Sequence, residues 1–175
     1  MTRRLLKSVL GIVSCLILVF LYLYTQDVFG VSQSNLEQDA RTSQQIASAW
    51  EAAKSVDDEL GALLFYDQAF DKHVYSLYVK HDGLYLGYFF ISGGADPMIQ
   101  DSVRKFNCST KGSALISMNK DKVKRIEFDN GNEVTKIDLD PDKPFAVVIP
   151  FSSGSVKLHN TDNELVPVMP TNVLK

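Results

Sequence analysis

Cysteine is nearly missing from this chain. There are two in 175 residues, Cys15 and Cys108, and only Cys108 lies beyond the first thirty. No disulfide can form within residues 31–175, so that part depends on a packed core, for which about 145 residues suffice. Histidine is equally sparse. His73 and His81 fall on one face of the same predicted strand, about 26 Å apart at ~3.3 Å per residue, which excludes joint ligation of a metal. His159 stands alone. A basic cluster is also missing: residues 31–175 carry five more acidic than basic side chains, within a whole-chain charge of −3. That balance argues against a nucleic-acid partner. Gly93-Gly94 follows a strand pattern but has no G-x-G-x-x-G frame and no Lys-Ser/Thr at phosphate-loop spacing. Asp138-Leu139-Asp140-Pro141-Asp142 begins like a calcium loop, yet Lys143 and Ile149 stand where Gly and Glu are required. No G-x-S-x-G elbow occurs. These absences leave no metal, no cofactor and no catalytic set to assign.

One long apolar run is present. Residues 8–24, SVLGIVSCLILVFLYLY, contain no charge, with Arg3, Arg4 and Lys7 before them and Asp27 behind. The length and flanks predict a transmembrane helix acting as a signal anchor, with lipid around 8–24. On that reading residues 1–7 form a cytoplasmic basic n-region and 25–34 a linker. Residues 35–175 become an extracytoplasmic α+β domain, and the protein sits in the cell membrane as a single-pass species. Cleavage near Gly30 would instead release a secreted domain.

Downstream, Ser34 and Glu37 have the spacing of a capping box and predict a helix over about 35–53. Its narrow face would hold Leu36, Ala40, Ser43, Ala47 and Trp50. Short β-rich runs follow. Residues 62–67 read as a buried strand. Residues 73–81 and 84–92 flank Asp82-Gly83, the signature of a two-residue type I′ hairpin. That turn pairs Val79 with Leu86, Leu77 with Tyr88 and Tyr75 with Phe90. Asn130-Gly131 marks a second such hairpin, with Phe128, Ile126, Thr135 and Ile137 on one face and Arg125 opposite Lys136. Strands are also expected at 114–118 and 145–151, and a looser hairpin around 160–163. Residues 98–106 fit a short helix or an irregular crossing equally well. The expected fold is α+β: the N-terminal transmembrane helix, then one helix packed on a mostly antiparallel sheet or sandwich of about seven to nine strands.

Function is less legible. Tyr78, Tyr85 and Lys80 share the partly polar face beside the Asp82-Gly83 turn, and exposed tyrosine on a rigid strand suits a protein or glycan contact. The leading expectation is a non-enzymatic binding or structural role at the cell envelope, with an envelope protein or glycan as partner and the oligomeric state unassigned. The rival is an exported enzyme using the lone thiol of Cys108.

Overall fold

The computed structural model describes residues 2–25, 28–83, 85–129, 131 and 133–174, and the side chains of these except 2–10, 23–25 and 174. The chain is mostly β: 45% strand and 20% helical, in three sheets of three or four strands. This corrects the expected α+β class.

The helices are α1 (Thr2–Thr25), α2 (Leu36–Ser43) and α3 (Pro97–Asp101). The transmembrane anchor is also corrected: among the described residues no helix is long and apolar enough to cross a membrane. A signal anchor over 8–24 and a single-pass place in the cell membrane are therefore not supported. Arg3, Arg4, Lys7, Tyr24 and Asp27, whose side chains set the expected orientation, lie outside the described side chains.

The first sheet runs β1 (Glu51–Val56), β2 (Leu60–Tyr66), β3 (His73–Val79), β4 (Phe89–Gly94), in that spatial order. The second comprises β5 (Val103–Cys108), β6 (Ser113–Ser117), β9 (Phe145–Ile149) and β11 (Val168–Leu174), ordered β11-β5-β6-β9. The third, ordered β10-β7-β8, is built from β7 (Val123–Asp129), β8 (Val134–Asp138) and β10 (Val156–Asn160). Among the described residues, the pairings within these three sheets are antiparallel except β11 on β5.

Three apolar clusters stack these sheets into layers. Leu64, Leu77 and Val79 of the first sheet meet Phe106, Cys108, Ile116 and Val148 of the second. The opposite face of the second sheet, with Leu115, Val147 and Ile149, packs on Ile126, Phe128 and Leu158 of the third. The outer face of the first sheet, with Leu63, Phe65 and Tyr78, is roofed by Leu36 and Ala40 of α2. Strands β2, β6 and β9 are covered on both faces, which is why their sequences LGALLFY, SALIS and FAVVI carry almost no alternation. The Val148 N–H donates to Ser55 Oγ at 3.1 Å, tying β1 to β9.

The predicted long helix ends at Ser43, well before Ala53. Gln45 turns to φ 55°, and Arg41 ties the following turn down by donating to the carbonyls of Ala47 (3.1 Å) and Trp50 (3.0 Å). Residues 51–56 then pair with the buried β2, so a tertiary contact overrides their helical propensity. The capping box does not form. Asn35 is the N-cap and makes no side-chain cap bond. Glu37 binds Arg41 and Lys54 instead, both at 3.1 Å.

The two hairpins depart from their predicted registers in different ways. In the second, Arg125 faces Asp138 and Glu127 faces Lys136, a slip of two positions. An even slip leaves the apolar face intact, and it exchanges the Arg125–Lys136 clash for ion pairs of 2.8 and 3.3 Å. In the first, Val79 faces Phe89, a slip of three that holds up to a bulge opposite Leu77/Tyr78, beyond which Leu77 faces Ser92, a slip of four. An odd slip turns the strand over: Ile91 packs with the Leu77–Val79 side, while Tyr88 and Phe90 join Tyr78. Asn130 and Asn132 lie outside the described residues, as does Leu84.

Candidate functional site

The three residues expected to form a contact face separate in the structure. Tyr78 is fully buried under α2, and its hydroxyl donates to Asp39 Oδ2 at 2.7 Å. Burial, reinforced by the Asp39 carboxylate, pushes the phenol above its ordinary range. Tyr78 is therefore a core residue, and the expectation that it faces a partner is corrected. The Lys80 ammonium lies 5.2 Å from the Tyr88 ring centroid, an intramolecular cation–π contact. Tyr85 is exposed. Its ring forms a cluster with His81 (5.4 Å) and Phe89 (5.7 Å) on the segment between β3 and β4.

That segment is shaped by a contact the sequence reading did not anticipate. Residues 28–31, expected to be part of a polar linker, lie beside residues 86–88 and exchange four backbone hydrogen bonds with them. Leu86 N–H donates to Val28 O and Gly30 N–H to Leu86 O, while Val31 and Tyr88 donate to each other, at 2.6–2.8 Å. The approach is close enough to demand glycine twice. A Cβ on Gly30 would fall 2.6 Å from the Tyr88 carbonyl oxygen, and one on Gly87, at φ +94°, 2.8 Å from that of Val31. Gly87 is the signal that could have exposed the broken hairpin, since glycine inside an apolar strand pattern marks a bend or a close backbone approach.

Beyond this short ladder the outer edge of β4 is open. The strand reads FFISGG, with no charge and no proline, and among the described residues pairs only with β3. Phe29, Tyr85, Leu86 and Phe90 surround it, each 40–59% exposed. Phe90 is braced edge-on against the Tyr78 ring at 5.6 Å, so its position is set by the core. Sequence reasoning placed Phe90 inside the hairpin and missed it as a surface residue.

Among the described residues, clefts also open elsewhere, two of them away from α2. One, of about 540 Å³, opens beside Trp50 and His73 with Ala95 and Pro97 in its wall. His73 is held there by Gln100 (Nδ1, 3.2 Å) and the Asp96 carbonyl (Nε2, 2.8 Å). The other, of about 380 Å³, has a mixed polar and apolar lining and sits where the second and third sheets part.

The geometry gives no support to thiol catalysis. Cys108 is buried between the first two sheets, and burial alone pushes its thiol up to about 11. The Sγ hydrogen-bonds to its own strand's Phe106 carbonyl, at 3.8 Å, while His73 is engaged as above, His81 among aromatic rings and His159 near Glu127. A reactive cysteine needs the opposite environment, electropositive and accessible. Among the described residues, no group of three or more His, Cys, Asp or Glu is placed to hold a metal ion. The acidic stretch at 138–142 is neutralised locally: Asp138 pairs with Arg125, Asp140 with Lys143 and Asp142 with Lys122.

No protein-family model matches this chain, and neither a curated protein nor a solved structure matches it.

Proposed function

We propose that this is a non-enzymatic binding domain that takes an extended segment of a partner protein on the outer edge of β4. One observation carries the reading: an uncharged, proline-free edge strand lies open beside four exposed apolar side chains. Edge strands usually carry Lys, Pro or inward charges that repel a further strand. β4 has none of these; its irregularities are the bulge facing Leu77/Tyr78 and Gly94 at φ +130°. Residues 28–31 already occupy the start of the same edge through backbone bonds, which supports the view that the edge accepts a strand. In such strand addition, main-chain hydrogen bonds supply affinity, and alternate side chains meeting Phe90 and Tyr85 supply selectivity.

The test is a selection of displayed short peptides on the full chain, repeated on Phe90→Lys. Enriched peptides should alternate apolar residues and lose about tenfold in affinity for the variant, roughly 1.4 kcal/mol. Tyr85→Ala should weaken them less. Peptides that bind Phe90→Lys as well as the parent, or a selection that enriches nothing, would refute strand addition at β4.

A further inference from the structure

The cleft between the second and third sheets has a floor built by strand register. Asn172 of β11 pairs with Asn107 of β5, Asn107 with Ser113 of β6, and Ser113 with Ile149 of β9, so two amides and a hydroxyl stand in one transverse row. Lys105, two residues from Asn107 along β5, points to the same face. The row is ordered internally, since Asn107 Nδ2 donates to Asn172 Oδ1 at 3.1 Å. Residues 150–156 form the facing wall. Phe151 there is 64% exposed, and the Ser153 hydroxyl is shielded from solvent without a hydrogen-bond partner. At the end of the cleft Gly112, at φ +103°, brings the turn after β5 against β9, where a Cβ would lie 2.6 Å from the Ile149 carbonyl oxygen.

We infer that this cleft binds a sugar acid: a small saccharide carrying a single carboxylate. Four properties select that class. The lining holds one cation, Lys105, which has no ion-pair partner among the described residues, and it holds no carboxylate. One negative charge is matched, whereas a phosphate ester is ordinarily met by several cationic groups or a helix N-terminus. The paired amides and the serines offer donors and acceptors together, as vicinal hydroxyls require. Phe151 supplies an apolar plate for the C–H face of a sugar ring. The volume of about 380 Å³ is at the lower end of ligand cavities and exceeds what a bare oxyanion fills.

Saturation-transfer NMR on the full chain tests this with glucuronate, glucose and uridine monophosphate as probes. Glucuronate should bind about tenfold more tightly than glucose. Lys105→Gln should abolish that preference and leave glucose unchanged, while Phe151→Ala should weaken both sugars. Phe90→Lys should leave glucuronate binding intact, which separates this site from the β4 edge. Equal binding of glucuronate and glucose to the parent chain would overturn the proposal, as would an unaltered preference in Lys105→Gln or tighter binding of the nucleotide. Should Lys105→Gln fail to fold, the comparison of the two sugars on the parent chain decides.

Discussion

Tyr78 and Tyr85 are seven residues apart, and the structure gives them opposite fates. Tyr78→Ala removes a ring wholly enclosed between β3 and α2. Large aromatic-to-alanine changes in such positions cost about 3–5 kcal/mol, because the cavity collapses only in part. Tyr78→Phe keeps the ring and removes only the bond to Asp39. Hydrogen bonds to a charged group are worth about 1.5–3 kcal/mol, and the lower end applies because the half-buried Asp39 regains water. Tyr85→Ala removes an exposed ring and its contacts with His81 and Phe89, about 0.5–1 kcal/mol. Urea unfolding of the full chain reads all three, with Trp50, the sole tryptophan, as the fluorescent reporter. With a urea slope of about 1–3 kcal/mol/M, Tyr78→Ala should move the midpoint by more than about 1 M and Tyr85→Ala by well under that. Adding Asp39→Asn to Tyr78→Phe should cost much less than the sum of the two single changes. If Tyr85→Ala costs as much as Tyr78→Ala, or Tyr78→Ala leaves the midpoint in place, α2 does not roof this face and the account of the third cluster fails.

Other outcomes follow from single residues. Asn119, buried at φ +59°, donates to the carbonyls of Val123, Asp140, Pro141 and Lys143 and accepts from the Val123 N–H. Asn119→Ala should destabilise by about 2–4 kcal/mol in urea unfolding, since it strands buried carbonyls and favours a different backbone angle. Gly87→Ala should speed amide hydrogen exchange at Val31 and Tyr88 while leaving Leu64 protected, because the new Cβ meets the Val31 carbonyl. Iodoacetamide should leave Cys108 unlabelled until denaturant is added. Its folded pKa, raised to about 11 from 9.0, means that its contribution to stability is complete below pH 9 and is lost as pH climbs toward 11. Glu37 works in the opposite sense. The Lys54 hydrogen bond, with Arg41 adding to it and burial opposing, lowers its pKa below 4.5. Its contribution is present above the ordinary carboxylate range and disappears as pH falls through the lowered value, so a thermal-unfolding series on Glu37→Gln should lose that acid limb.

Strands that lie buried on both faces were the most readable part of this chain. FAVVI and LGALLFY could hardly be anything else, and the Val123–Asp129 strand leads into the predicted Asn130-Gly131 turn. Register was harder, and parity decided the damage. Both Asx-Gly turns misplaced their pairings, but the slip at residues 129–134 was even and kept Ile126 and Phe128 inward. The slip at 79–89 was odd and moved Phe90 from the interior to the rim. Local pattern cannot see the agent of that second slip, since residues 28–31 are more than fifty positions away. The same holds for 51–56, where a helix-compatible stretch becomes a strand because β2 lies beside it. The polar row Asn172–Asn107–Ser113 was beyond reach for a related reason: its members come from three strands, one of them parallel and more than sixty residues downstream.

The backbone ladder between residues 28–31 and 86–88 also has a mechanical meaning. A slack tether would let anything upstream swing without consequence for the folded body. Here a tug on the chain at Val28 is passed through four backbone hydrogen bonds to the strand end that leads into β4. Because those bonds lie on the sheet's rim, they would part before the layered interior gives way. Their release would lengthen the sheet's open border by the span of residues 86–88.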